Sequence, residues 1–222
     1  MTAFLLIPGA GGAASFWCLV AERLRERGDV AIALDLPADD PDAGLSAYVE
    51  LAVAAGDGYD DLVVVAQSLG AFTAVPACER LAPRRLVLLN AMIPAPGERA
   101  ADWGEHTGAD DARQAAARAG GYPEGIDLQT YFLHDVPAEA AARGLGDARD
   151  EAEIAFAEPC PFARWPDVPT RVLAGRDDRL LPFAFQRRVA HERLAQEALP
   201  LPGGHLAALS EPDAVTSALL AG

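Results

Sequence analysis

Three polar side chains each follow a short run of apolar residues in this sequence. Ser68 follows a run that begins at Leu62, Asp178 follows one that begins at Arg171, and His205 follows one that ends at Leu201. Together, a hydroxyl, a carboxylate and an imidazole can transfer an acyl group. The imidazole removes the serine proton, and the carboxylate orients the imidazole and stabilises its charged form. The three residues therefore predict a nucleophile, Ser68, with His205 as its base.

The stretch Ala66-Gln67-Ser68-Leu69-Gly70 predicts a sharp turn from a strand into a helix. Such a turn crowds its own backbone, so it needs small residues two before and two after the serine. A helix that begins after the serine directs backbone N–H groups at the reacting carbon, and the N–H of Leu69 is the predicted oxyanion donor. The pentapeptide alone is equally compatible with a serine that only caps a helix.

The first apolar run ends in a glycine-rich turn that has two interpretations. Residues 8–14 read Pro-Gly-Ala-Gly-Gly-Ala-Ala, which matches a dinucleotide-binding fingerprint, and Asp35 closes the second run where a ribose-binding acid would lie. Alternatively, the N–H of Ala10 is a second oxyanion donor. Short-chain dehydrogenases with this opening use a Tyr-x-x-x-Lys pair, and the sequence contains no lysine. We therefore favour the oxyanion interpretation and keep the oxidoreductase as the weaker alternative.

The residues that would assist the serine each have a rival interpretation. Asp177 and Asp178 are adjacent, and either could instead be a solvated acidic turn before the helix that Pro182 opens. His205 follows two glycines that allow a loop to bring the imidazole over the sheet edge, and an imidazole titrates near neutral pH. The remaining histidines, His106, His134 and His191, lie within a long region without strands or within a predicted helix.

Apolar runs alternate with amphipathic stretches, a pattern that predicts an α/β protein with helices on both faces of a parallel sheet. About six strands are predicted, at residues 4–7, 30–34, 62–66, 86–89, 171–174 and 197–201. Helices are predicted near residues 15–27, 45–55, 69–81, 109–119, 137–149, 183–195 and 206–220. Residues 92–160 contain no predicted strand. We interpret them as an inserted helical lid within a single domain spanning residues 1–222.

The composition restricts the class of partner. The formal net charge is −15, from 33 acidic and 18 basic residues, which disfavours binding to nucleic acid and to anionic membranes. Three widely spaced cysteines predict neither a disulfide framework nor a zinc site. The N-terminus has no signal-peptide pattern, and no apolar run reaches the length of a membrane span, so we expect a cytoplasmic protein. No metal or organic cofactor is implied.

These motifs resemble the α/β-hydrolase superfamily, in particular small esterases related to plant methyl-ester hydrolases and hydroxynitrile lyases. The family opens with His-Gly-Ala and a tryptophan seven residues later, and here Pro8-Gly9-Ala10 precedes Trp17 at that spacing. The family's Gly-x-x-Asp pattern selects Asp178, and its Gly-His pattern matches Gly204-His205. The resemblance implies the α/β-hydrolase fold with a lid at residues 92–160. The lyase branch needs a lysine and dehalogenase relatives need an aspartate nucleophile, and this sequence offers neither.

Within the lid, residues 131–135 resemble a family segment that borders the acyl pocket, although we favour Asp135 as a cap of the helix after Pro137. The residues expected around a substrate pocket are Gly9, Gln67, Trp103, Tyr131, Phe132 and His134. The predicted reaction is hydrolysis of small or medium uncharged esters, with a small-molecule substrate as the partner. A non-catalytic ligand-binding protein on the same scaffold is the main alternative, and the oligomeric state stays open.

Overall fold

A computed structural model describes residues 1–221, in which six parallel strands form one sheet in the order β2-β1-β3-β4-β5-β6. The strands are β1 (Ala3–Ile7), β2 (Val30–Ala33), β3 (Leu62–Gln67), β4 (Arg85–Leu89), β5 (Thr170–Gly175) and β6 (Ala198–Leu201). Each begins and ends within one residue of its predicted bounds. The predicted parallel sheet is therefore confirmed, with β3 and β4 at its centre.

Helices occupy most of the chain between the strands. They are α1 (Cys18–Glu26), α2 (Leu45–Gly56), α3 (Ala71–Leu81), α4 (Ala100–Thr107), α5 (Ala109–Gly120), α6 (Leu128–Tyr131), α7 (Ala138–Leu145), α8 (Glu153–Ala157), α9 (Phe183–Leu194), α10 (Ala207–Ser210) and α11 (Pro212–Leu220). Short 3₁₀ turns, at Ala14–Trp17 and Ser68–Gly70, precede α1 and α3. None of these helices, within residues 1–221, is long and apolar enough to cross a membrane.

Two helix predictions differ from the structure for local reasons. The single helix predicted at 206–220 is two helices, because Pro212 has no N–H to continue a helix and instead starts a new one. The helix predicted at 137–149 ends at Leu145. The short helices α4, α6 and α8 were not predicted, since four to eight residues give too few turns for an apolar period.

Alternate residues of each strand face opposite layers of helices. In β1, Leu5 and Ile7 belong to the core shared with α2, α3 and α9, whereas Phe4 and Leu6 belong to the core shared with α1 and α11. All four side chains are essentially inaccessible to solvent. Burying each contributes about 1.5–3 kcal/mol, so the two apolar layers hold the sheet in a fixed position relative to its helices.

Residues 92–160 leave the sheet after β4 and contain helices α4 to α8, with no strand in this described stretch. The two ends of the stretch meet, because the N–H of Cys160 donates to the carbonyl of Glu98 at 2.8 Å and an antiparallel bridge joins Arg99 to Pro159. This closure is the geometry expected of an insertion. Whether the stretch acts as a lid stays a prediction.

Candidate active site

Ser68 lies in the turn that leads from β3 into α3. Its φ angle is 51°, in the left-handed region that non-glycine residues seldom adopt. Gly70 packs against β1 so closely that a Cβ atom there would lie 2.3 Å from the carbonyl oxygen of Pro8. The N–H of Met92 donates to the Ser68 carbonyl at 3.1 Å. The strained turn is thus held from two sides, as expected for a residue whose backbone conformation serves a function.

Asp178 and His205 form a buried pair at the carboxyl ends of β5 and β6. Asp178 Oδ2 lies 2.9 Å from His205 Nδ1, and the residues are only 4% and 2% exposed. Asp178 Oδ1 accepts from the N–H groups of Leu180 and Leu181, each at 2.9 Å, and Oδ2 also accepts from Gln186 Nε2 at 3.1 Å. Because this carboxylate accepts from the imidazole, Nδ1 carries the hydrogen and Nε2 is left as a proton acceptor.

The adjacent carboxylate, Asp177, is exposed and does not contact the imidazole. Its backbone N–H donates to the Gly203 carbonyl at 3.1 Å, which fixes the loop but directs the side chain to solvent. The structure therefore places Asp178, and not Asp177, beside His205.

Ser68 and His205 line one cavity of about 380 Å³. Its apolar wall consists of Leu128, Phe132, Leu145, Ala148 and Leu206, and its charged wall consists of Arg149, Asp150 and Glu151. The Phe132 ring meets the His205 ring edge to face, with centroids 5.5 Å apart. Ala10 and Gln67 complete the wall near Ser68, so Ser68, His205 and Ala10 border one space. The other predicted oxyanion donor, Leu69, is buried and does not line this cavity.

Of the predicted pocket residues, Gln67 and Phe132 line this cavity and the others do not. Gly9 lies directly beside the nucleophile turn, where a Cβ atom would be 2.9 Å from Ser68 Cβ. Trp103 is buried in the core, where Nε1 donates to the Ile93 carbonyl at 2.9 Å. The prediction that Trp103 borders the pocket is therefore wrong, because its indole N–H has a carbonyl partner inside the core.

Tyr131 and His134 are also displaced from the predicted pocket. Tyr131 is fully buried and its hydroxyl donates to the Pro123 carbonyl, which turns the ring away from the cavity. His134 lines a separate cavity that also borders Asp178. The prediction that Tyr131 and His134 line the substrate pocket is therefore wrong, because residue type carries no information on which space a ring faces.

Asp135 does not cap α7. The residue at the N-cap of that helix is Pro137, no side chain caps it, and Asp135 Oδ2 instead accepts from the Gly204 N–H at 2.6 Å. The capping prediction is wrong because the carboxylate has a backbone donor from another loop within reach. Since Gly204 precedes His205, this contact fixes the loop that carries the imidazole.

Asn90 is a site residue that the sequence reasoning missed. It follows β4, is fully buried and has a φ angle of 46°, which asparagine tolerates better than most residues. Nδ2 donates to the carbonyls of Gly204 and His205 at 2.9 and 3.0 Å, and Oδ1 accepts from the Gly175 N–H at 2.7 Å. A lone amide directly after a buried apolar strand is the signal that could have identified it.

The glycine-rich turn after β1 is held by a carboxylate from the 92–160 stretch. The N–H of Gly11 donates to Glu151 Oε2 at 2.8 Å, and the Tyr48 hydroxyl donates to Glu151 Oε1 at 2.7 Å. Burial raises the pKa of Glu151 above its ordinary value, although both hydrogen bonds oppose this shift. Ala10, the predicted oxyanion donor, is exposed to the cavity beside this contact.

These contacts also bear on the dinucleotide interpretation. A carboxylate occupies the Gly11 N–H that would otherwise face a pyrophosphate. Asp35, the proposed ribose-binding acid, instead pairs with Arg149 at 2.8 Å and accepts from the Ala14 N–H at 3.1 Å. The Asp35 carboxylate and the Gly11 N–H therefore already have partners within the protein. Neither group is free to bind the ribose or the pyrophosphate of a dinucleotide.

Comparisons with known proteins agree with this architecture. Polyneuridine aldehyde esterase is similar in structure, with a TM-score of 0.80 and 19% identity over 99% of this chain and 98% of that one. A pyrethroid hydrolase from Sphingobium faniae JZ-2 has a TM-score of 0.73 and 20% identity, covering 98% and 95% of the two chains. A methylesterase from Arabidopsis has a TM-score of 0.77 and 17% identity, covering 99% and 98%.

At these identities, the structural likeness shows a common fold. No curated protein sequence matches the chain. The Alpha/beta hydrolase family, in contrast, matches residues 4–218, which include all six strands except the first residue of β1 and all the residues placed around the cavity. The chain therefore belongs to the alpha/beta hydrolase family.

Proposed function

We propose that this protein is a serine hydrolase that cleaves carboxylic esters through an acyl-enzyme. The observation that carries the proposal is the buried Asp178–His205 pair, whose imidazole lines the same cavity as Ser68. Membership of the alpha/beta hydrolase family supports hydrolysis, and the structurally similar proteins described above are named as esterases or hydrolases. The strained turn at Ser68 supports its role as the nucleophile.

In the proposed reaction, Ser68 Oγ attacks the ester carbonyl carbon while His205 Nε2 takes the hydroxyl proton. The N–H groups of Ala10 and Leu69 donate to the oxyanion of the tetrahedral intermediate. The intermediate then expels the alcohol, which receives the proton from His205, and an ester of Ser68 remains. Water attacks this acyl-enzyme with His205 again as base, and the acid is released. Asp178 keeps the imidazole in the required tautomer and orientation throughout.

The cavity supports small or medium uncharged esters as the substrate class. Its volume of about 380 Å³ and its leucine- and phenylalanine-lined wall suit an apolar acyl or alcohol group. The charged residues that line the cavity are Asp150, Glu151 and Arg149, so the acidic groups exceed the basic ones. Together with the net charge of −15, this balance disfavours anionic substrates. Besides the substrate and one water molecule, the proposed steps use side chains and backbone groups of this chain.

A fluorophosphonate probe and a panel of p-nitrophenyl esters test the proposal. The wild type should be labelled once and should hydrolyse the shorter esters. S68A should lose labelling and about 10⁴- to 10⁶-fold in kcat, because the nucleophile is removed. S15A is the matched control: Ser15 donates to the Gly144 carbonyl and does not line the cavity, so labelling and turnover should persist.

Two results would contradict the proposal. Full hydrolysis by S68A would remove Ser68 from the mechanism. Labelling of the wild type without turnover of any ester in the panel would favour the alternative, a ligand-binding protein on a hydrolase scaffold.

A further inference from the structure

The chain that follows α7 lies directly over the glycine-rich turn. The N–H of Arg149 donates to the Gly11 carbonyl at 3.3 Å, and the N–H of Gly11 donates to Glu151 at 2.8 Å. The two polar backbone groups of Gly11 are therefore both bound by residues about 140 positions later in the sequence. The conformation of this turn depends on a part of the chain that lies outside the sheet.

Glu151 connects this turn to the helical layer. One carboxylate oxygen accepts from Gly11 and the other from the hydroxyl of Tyr48, a residue of α2 that is only 2% exposed. Burial raises the pKa of Glu151, because removing the carboxylate from water disfavours its ionised form. Two hydrogen bonds to one half-buried carboxylate give its position little freedom.

Gly11 is the immediate neighbour of Ala10, whose N–H is the proposed oxyanion donor. Fixing the Ala10–Gly11 peptide limits the rotation of Ala10, and a donor must lie about 2.7–3.1 Å from the developing oxyanion to be effective. We propose that Glu151 is a positioning residue, which holds Gly11 so that the Ala10 N–H points at the oxyanion. This inference rests on the proposed function of the same site.

The chain offers a matched control for this carboxylate. Glu158 belongs to the same 92–160 stretch and also accepts a backbone N–H, that of Ser46 in the first turn of α2, at 3.0 Å. It does not line the cavity that contains Ser68. Glu158 therefore makes the same kind of structural contact as Glu151 without touching the glycine-rich turn.

The test measures kcat and KM for p-nitrophenyl butyrate in four proteins: the wild type, E151M, E151Q and E158M. E151M fills the same space without an acceptor, and its kcat should fall about 10- to 100-fold while KM changes less than about threefold, because the oxyanion develops only toward the transition state. E151Q keeps an amide oxygen that can accept from Gly11, so its kcat should stay within about threefold of the wild type. E158M should match the wild type in both constants.

Three outcomes would overturn the positioning role: an unchanged kcat in E151M, a loss confined to KM, or an equal fall in kcat in E158M. Should E151M fail to fold, E151D replaces it, since a side chain shorter by one methylene withdraws the carboxylate from Gly11 and the same fall in kcat is expected. A wild type that shows neither labelling nor turnover would instead mean that the proposed function has failed. Normal wild-type turnover with an unaffected E151M would overturn the role of Glu151 alone.

Discussion

The two sides of the cavity are built in different ways. On the acid–base side, Asp178 and His205 are 4% and 2% exposed, and Asn90 binds the loops that carry them from the end of β4. On the oxyanion side, Ala10 is exposed, and the turn beside it is held by Glu151 from outside the sheet. The first side is part of the protein core, with Asp135 of the 92–160 stretch as an added contact to Gly204. On the second side, that stretch binds both polar backbone groups of Gly11.

This difference separates stability from reactivity. Buried hydrogen-bonded groups contribute to folding as well as to the geometry of the site, because leaving a buried partner unsatisfied costs free energy. A half-exposed carboxylate whose pKa burial has raised contributes less to folding: the ionised form is disfavoured in the folded state, so neutralising it removes no net stabilising charge. Changes on the acid–base side should therefore affect stability and rate together, and changes on the oxyanion side should affect rate more than stability.

Among the variants that test this comparison, D178N is expected to lower kcat the most. The amide cannot accept from Nδ1 as a carboxylate does, so the imidazole loses its tautomer and orientation, and kcat should fall about 10⁴-fold. D177N is the control on the same loop, and its kcat should match the wild type because Asp177 is exposed and does not contact His205. Steady-state kinetics measure kcat for both variants. An equal loss of kcat in D178N and D177N would show that the assignment of Asp178 as the acid is wrong.

N90G tests whether the two sides differ in stability. Glycine adopts a φ of 46° without strain, so the variant removes the amide without straining the backbone. The bonds lost are those to Gly175, Gly204, His205 and Gln186. We expect kcat to fall about tenfold and the free energy of unfolding to fall by about 2–3 kcal/mol. E151M leaves the Gly11 N–H and the Tyr48 hydroxyl without this acceptor, but it also removes a carboxylate whose ionised form burial disfavours. Its free energy of unfolding should therefore fall by less, by about 1 kcal/mol. Urea denaturation of both variants measures this, and equal midpoints would remove the distinction.

E98Q is expected to have the smallest effect on catalysis, because Glu98 lies away from both sides of the cavity. Glu98 is buried and binds Arg193 of α9 and, at 2.8 Å, His106 of α4. Burial alone would raise the pKa of Glu98, but its hydrogen bonds, that from Arg193 foremost, lower it below the ordinary value. Replacing it should lower the free energy of unfolding by about 1–3 kcal/mol at pH 7 and leave kcat unchanged.

The sign of the pH dependence follows from the lowered pKa of Glu98. A carboxyl whose folded-state pKa is depressed stabilises the fold above its unfolded-state pKa, and this contribution is lost as the pH falls through the folded-state value. The wild type should therefore lose its stability advantage over E98Q as the pH falls below the ordinary pKa of a glutamate. Parallel thermal unfolding curves at pH 7 and pH 3 measure this, and an advantage that is undiminished at pH 3 would contradict it.

The sheet could be predicted almost completely from the sequence, and the site only in part. Apolar runs such as residues 62–67 are compatible with few structures other than buried strands, and parallel strands bring their carboxyl ends to one edge. Asn90 and Glu151 escaped prediction because their partners lie 85 to 140 residues away, so no local pattern records the contacts. Trp103 was misplaced because residue type predicts burial but not the identity of the neighbouring space.

The left-handed backbone at Ser68 limits which chemical groups this turn could carry in place of a primary alcohol. A φ of 51° is tolerable for a side chain with a single heavy atom on Cβ, but branching at Cβ brings a second atom against the backbone. A thiol at this position would keep the same shape. Threonine has the same reactive group as serine and would not fit, so sterics and not nucleophilicity exclude a secondary alcohol here.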